Sequence, residues 1–417
     1  MKEGNNKLTF IDLFAGCGGL SEGFLQSNKF EALAHVEWEI PMVNTLRSRL
    51  HTKWNHTKDD SLKRVIHFDI QKTDELIKGK WDTQTNLKYA STNHEDIIEK
   101  GLRGLIGKQK VNLIIGGPPC QAYSIAGRAQ DKNSMKDDYR NYLFESFVKV
   151  VDEFKPDVFV FENVPGLLSA RPGNIPVPER IYKAFRGIGY EIRKPELLKK
   201  AVYTASELGV PQKRNRVIII GVRTKAKIEL ELLYNEINSL KKKLETKNVR
   251  DVIAHLPIFL PLKKGERKNG KNISHKLKGE KSVRFHEPRF HNERDIKIFK
   301  NWLENDLNKS KSTEKIAFYN NLMGKSSNHA KYRNLEWDKP SPTIVAHLNK
   351  DGLMFIHPDI KQARSITVKE AALLQSFPDD YDFIGSQGFC FKMIGNAVPP
   401  EMARNIAYAI SKHLKKK

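Results

Sequence analysis

Six short apolar runs, separated by segments of helical periodicity, constrain the fold of this chain more than any other feature. They are Leu8–Leu13, Glu31–Val36, Val65–Phe68, Val111–Ile115, Val158–Phe161 and Val217–Gly221. Runs this short are strand-sized, and their alternation with helical patterns predicts βα units around one sheet. The expected fold class is therefore α/β, with a doubly wound, mostly parallel sheet, a fold that binds its ligands at the carboxyl ends of its strands. A length of 417 residues leaves room for two or three domains.

The alternation fails from Arg223 to Pro340. In that stretch 28 Lys and Arg stand against 15 acidic residues, an excess of 13 out of the +23 carried by the whole chain. Charge concentrated in this way suits an extended polyanion better than a small neutral ligand, although a solvated charged face would read the same. The stretch holds Lys241-Lys242-Lys243, a loop-like segment from Lys263 to Lys271 and a helical pattern from Asn292 to Leu307. The predicted division is a catalytic and cofactor-binding domain over 1–222, completed by 365–417, with a basic module and hinge over 223–364. Residues 71–110, with a helix-like patch from His94 to Ile106, read as a surface insertion. Three cysteines far apart, Cys17, Cys120 and Cys390, indicate neither a disulfide framework nor a metal site, and the expected compartment is the cytoplasm. No apolar run reaches membrane-spanning length, and the segment from Met1 to Leu8 is too polar for a signal peptide.

Three groups of residues carry chemistry. Phe14-Ala15-Gly16-Cys17-Gly18-Gly19-Leu20 is a glycine-rich turn between the first strand and a helix, where backbone can approach a nucleotide-like ligand closely. Its spacing is neither that of a P-loop nor Gly-x-Gly-x-x-Gly. Glu37, at the end of the second run, stands where a carboxylate accepts hydrogen bonds from ribose hydroxyls. Trp38 is placed to stack on an adenine, and Asp69-Ile70 end the third run; taken singly, Trp38 also reads as core and Asp69 as a helix cap. Gly116-Gly117-Pro118-Pro119-Cys120-Gln121 then puts one thiol on a stiff turn, because two prolines fix the backbone leading to Cys120. Glu162 ends the fifth run on the same sheet edge. Arg214 and Arg216, in Gln212-Lys213-Arg214-Asn215-Arg216, would share a face in extended geometry and could hold an anionic or carbonyl oxygen, or else form structural ion pairs.

With these motifs in this order the chain closely resembles the cytosine-C5 DNA methyltransferases of the bacterial restriction-modification type. The resemblance also rests on the segment from Arg364 to Gln375 and on Gly395-Asn396-Ala397-Val398-Pro399-Pro400, and covers about three quarters of the chain. It implies S-adenosyl-L-methionine as cofactor, double-stranded DNA as partner, and no membrane, in a monomer whose cognate restriction endonuclease is a genetic partner. It gives Cys120 the role of nucleophile at C6 of a flipped-out cytosine, Glu162 that of a protonated carboxyl at N3 and Arg216 that of holding O2, and counts Arg214 among the catalytic residues. Phe14, Ala15, Gly16, Gly18, Gly19, Leu20, Glu37, Trp38, Asp69, Ile70, Pro118, Asn396 and Val398 become the expected cofactor site. The expected DNA contacts are Gln121, Ser124 and Arg128 in a mobile loop after Cys120, and Lys263, Lys264, Arg267, Lys268, Arg284, Arg289 and Arg294 in the basic module. Lys369 stands where the family pattern has Arg. One branch of the family acts on tRNA, and the large basic module argues against that reading.

Overall fold

A computed structural model describes residues 7–119, 143–324 and 326–414. Each of the six apolar runs is a strand: β1 (Leu8–Leu13), β2 (Phe30–Glu37), β3 (Val65–His67), β4 (Leu113–Gly116), β5 (Val158–Asn163) and, after three short ones, β9 (Asn215–Arg223). The short ones are β6 (Tyr190–Ile192), β7 (Val202–Thr204) and β8 (Gln212–Lys213). The sheet runs β3-β2-β1-β4-β5-β9-β6, with β7 paired to the other end of β9. β1 to β5 are mutually parallel, whereas β9 is antiparallel to β5, with Glu162 opposite Ile218 and Asn163 opposite Val217. The first residues of β9 therefore lie at the same edge as the last residues of the parallel strands. Strand order reverses between β1 and β4, which opens the crevice used by doubly wound sheets.

Alternation along each strand feeds two cores. Ile11, Leu13, Phe159, Phe161 and Ile219 point to one face, and Phe10, Leu113, Val158, Val160 and Ile220 to the other. The first face is covered by the helices Leu143–Phe154 and Val177–Gly187; the second is covered by Gly19–Gln26, Leu230–Lys241 and Pro400–Ser411. The first and last helices of the described residues pack together here: a Cβ on Gly23 would lie 2.3 Å from the Pro400 carbonyl oxygen.

Three predicted boundaries are corrected, the third in the smaller domain. Residues 71–110 are not a surface insertion, because Leu76, Trp81, Tyr89, Ile97, Leu102 and Ile106 are buried in the first core. Their apolar positions are scattered among charges and form no continuous run, so the charge masked the packing. The basic module does not begin at 223 either: Tyr234, in the Leu230–Lys241 helix, donates its hydroxyl to Ile218 O at 3.2 Å and accepts from Ile220 N at 2.9 Å.

The core of the smaller domain joins Val249 and Ile253 to Leu335, Ile344, Phe355 and residues 366–397, and takes in Cys17 and Met42 of the larger one; the expected return to the catalytic domain at 365 is therefore corrected, because much of 365–397 packs in the smaller domain. Its ribbon β10 (Phe259–Lys268) and β11 (Lys271–Leu277) includes the segment expected as a loop. Asn269 and Gly270 both have positive φ, which makes the two-residue turn of a hairpin. The strand β12 (Ser341–Pro342) pairs with β8. The helix expected from Asn292 is Glu293–Glu304, with the Asn292 side chain accepting from Asp295 N at 2.8 Å as its cap.

Candidate active site

A cavity of about 270 Å³ lies at the carboxyl edge of β1 to β5. The turn after β1 forms its floor. Phe14, Gly16 and Gly18 all have positive φ, and a Cβ on Gly19 would lie 2.4 Å from Val398 O, so the turn and the C-terminal segment touch backbone to backbone. Glu37 anchors it: Gly16 N–H donates to Oε2 at 2.8 Å, and Trp38 and Glu39 N–H donate to Oε1 at 2.8 and 2.9 Å. Each carboxylate oxygen accepts about two hydrogen bonds, so Oε2 keeps one site for an incoming hydroxyl. Burial pushes the Glu37 carboxyl upward, opposed by these three amides.

The Trp38 ring is half exposed at the mouth, and its carbonyl is bonded to His67 Nε2 at 2.9 Å. Burial pushes His67 down, so the neutral ring donates there. Asp69, Ile70, Pro118, Asn396 and Val398 line the same cavity. Of the expected cofactor residues only Gly18 stands behind the lining, and a Cβ there would lie 2.5 Å from Leu46 Cδ1.

At the other end of the cavity the Arg216 guanidinium meets Glu162 with Nε to Oε1 at 2.6 Å. Both are nearly buried, and both line the cavity. A Cβ on Gly117 would lie 2.6 Å from Glu162 Oε2, so that glycine is what lets the carboxyl reach the turn. Asn163 is not among the residues expected at the site, although it follows Glu162 at the strand end. Asn163 Nδ2 donates to Pro118 O at 3.2 Å and ties the two turns together, directly before Pro119 and Cys120. Cys120, Gln121, Ser124 and Arg128 lie outside the described residues.

Arg214 does not share a face with Arg216. It is buried behind the site and donates to Ile344 O at 2.8 Å and Gly395 O at 3.0 Å. The short break between β8 and β9 turns it away from the extended alternation, so its expected role at the reacting base is corrected to a brace between domains.

The family model described as C-5 cytosine-specific DNA methylase matches residues 8–80 and 75–412. The chain belongs to that family. The relatives it resembles include the type II methyltransferase M.Bpa9945I of Bacillus paralicheniformis, 35% identical, with 96% of this chain and 98% of that protein covered. Another is the type II methyltransferase M1.HphI of Haemophilus parahaemolyticus, 31% identical, with 97% and 87% covered. In fold, the chain is similar to a prophage-encoded E. coli protein described as a DNA modification methyltransferase, with a TM-score of 0.60, 23% identity, and 98% and 100% covered.

Lys263, Lys264, Arg267 and Lys268, expected as DNA contacts, are exposed on β10. Arg284 is exposed and paired with Asp382, and Arg294 is exposed beside Asp295 at 3.3 Å. Arg289 is corrected: it donates to Leu348 O at 2.7 Å and lies 4.6 Å over the Phe391 ring, a packing role in which burial lowers its pKa. Lys369 bonds one residue twice, to Asp379 O at 2.8 Å and Asp379 Oδ1 at 2.9 Å. No helix among the described residues is long and apolar enough to cross a membrane.

Proposed function

We propose that the protein transfers a methyl group from S-adenosyl-L-methionine to C5 of a cytosine in a specific duplex DNA sequence, through a covalent Cys120–C6 adduct. The observation that carries this reading is one cavity with two ends: the Glu37–Gly16 cradle at one, and the Glu162–Arg216 pair beside Pro118-Pro119 at the other. N3 and O2 are neighbours on one edge of cytosine, and a paired carboxyl and guanidinium suit neighbouring positions.

The residues divide the work. S-adenosyl-L-methionine, when bound, supplies a methyl group on a cationic sulfur. Glu37 accepts a ribose hydroxyl on its remaining site, Trp38 offers a face to the adenine, and Asp69 offers an acceptor to its amine. Aromatic C5 is too weak a nucleophile alone, so the Cys120 thiolate adds at C6 and places electron density on C5. Glu162 gives a proton at N3 and Arg216 holds O2 as charge develops there. After C5 has taken the methyl group, loss of the C5 proton to a base, departure of Cys120 as thiolate and return of the N3 proton to Glu162 restore the neutral aromatic ring. A stacked base is beyond reach of these groups, so the cytosine is flipped out of the duplex. The names of the two relatives support a type II restriction-modification setting.

The test is transfer of labelled methyl to duplex DNA, with tRNA as the competing acceptor. Cys120→Ser should abolish transfer while leaving folding and DNA binding intact, and DNA carrying 5-fluorocytosine should trap the wild-type enzyme in a denaturant-resistant complex. Near wild-type turnover by the variant, or transfer to tRNA alone, would overturn the proposal.

A further inference from the structure

Residues 380–383 join the smaller domain to the back of the cofactor turn. Tyr381 is fully buried in an aromatic group with Phe377 and Phe383, at ring separations of 4.7 and 5.1 Å. Its hydroxyl leaves that group and donates to the carbonyl of Cys17, in the middle of the turn. Burial keeps the phenol protonated well beyond its ordinary range, as a donor must be. The same hydroxyl would lie 3.2 Å from a Cβ on Gly18.

Beside it, Arg49 lies 4.7 Å over the Tyr381 ring and holds the helix that follows the turn by a two-pronged bond to buried Glu22, at 2.6 and 3.1 Å. Its third nitrogen reaches Asp380 O at 2.9 Å and Asp380 Oδ1 at 3.0 Å. On the other side of the segment, Asp382 pairs with Arg284, and Phe383 packs on Phe285 at 5.9 Å. Consecutive residues thus touch the cofactor turn and the basic module.

Positive φ is strained at Phe14 and free at Gly16 and Gly18, so the turn combines one costly residue with two that have no preferred conformation, and it keeps a single shape only where its surroundings hold it. We infer that Tyr381, backed by Arg49, is a positioning residue that lends the cofactor turn its binding shape from the smaller domain. This rests on the reading of the cavity as the S-adenosyl-L-methionine site.

Tyr381→Phe keeps the buried ring and removes only the donor, so the fold should survive. Calorimetric titration of the full chain with S-adenosyl-L-methionine should show affinity weakened about two- to tenfold, the range for one neutral hydrogen bond. Steady-state assays should show the same rise in KM for the cofactor, with kcat at saturation unchanged. If wild type itself fails to bind, the cavity reading falls. If wild type binds and the variant matches it, or if the variant loses kcat with KM unchanged, the positioning role is overturned. A melting temperature of the variant near wild type secures the comparison; as a second variant, Arg49→Lys, which keeps the charge but cannot form the two-pronged bond, should shift KM in the same direction.

Discussion

At the scale of single residues, the two arginines of Gln212-Lys213-Arg214-Asn215-Arg216 show how one residue of displacement separates structure from chemistry. Arg216 faces Glu162 inside the cavity, whereas Arg214 satisfies two backbone carbonyls behind it. Arg214→Met should therefore lower unfolding free energy by about 2–4 kcal/mol, since two buried acceptors lose partners, as denaturant titration would show. Arg216→Lys should leave stability nearly unchanged and reduce kcat, because an ammonium cannot present the planar fork. Equal losses of stability in both variants would refute this division. Glu37→Ala should weaken S-adenosyl-L-methionine binding by about 1.5–3 kcal/mol, with DNA affinity in the absence of cofactor unchanged. Calorimetry decides the point, and unaltered affinity would place the ribose contact elsewhere.

Among the elements, the β10–β11 ribbon carries the densest exposed charge of the smaller domain. Its pairing matters for what that charge can touch: Arg267 opposes Asn272 and Lys268 opposes Lys271, so adjacent side chains project to opposite faces. Neutralising Lys263, Lys264, Arg267 and Lys268 together should weaken binding to all DNA sequences alike and lower the salt slope by about 0.9 for each phosphate no longer neutralised. The single variants at 267 and 268 should differ, since one face of a ribbon meets the duplex. Affinity measured against salt concentration tests both statements; a change in the methylated site with an unaltered salt slope would make the ribbon a base reader.

Across the whole molecule, stability should fall in acid mainly through the smaller domain, because in the larger one His35, which burial pushes down to about 3, is opposed by Asp12, which burial pushes up to about 8. Arg364 is buried and bonded to Glu370 at 2.7 and 2.8 Å, and burial pushes neighbouring histidines down: His275 to about 4, His291 and His357 to about 3. A histidine held below its unfolded value is neutral when folded and charged when unfolded over the window between the two. Its contribution is therefore complete above about pH 6.5 and is lost as pH falls towards 4 or 3. Glu370, held well below the ordinary carboxylate range by Arg364 despite its burial, loses its contribution in the same direction. At pH 5 the cost should be about 1–2 kcal/mol for each histidine. Melting curves from pH 8 to pH 4.5 should fall steadily below 6.5, and a flat profile would contradict the assignment.

The strands, the glycine turn, Glu37 and Glu162 were legible in sequence, because short apolar runs and the residues that end them are local signals. Strand ends then converge on one edge for any parallel sheet, and this is why Trp38, Asp69 and Pro118 meet in one cavity, where Asn396 and Val398 join them from the junction of two helices. Local signals failed where a residue's role depends on what packs against it. Trp81 and Tyr89 lie among charged neighbours, yet they pack, tilted, against Phe68 at 4.7 and 5.2 Å. Charge density at Lys263 to Lys271 obscured the Asn269-Gly270 turn. Arg214, Arg289 and Tyr381 act on carbonyls or rings more than 50 positions away in the chain. The alternating strands and turn chemistry determined the sheet and which residues end its strands. Which polar groups face the cavity and which brace the domains was decided by tertiary packing, because a buried donor must take whatever acceptor the neighbouring element brings.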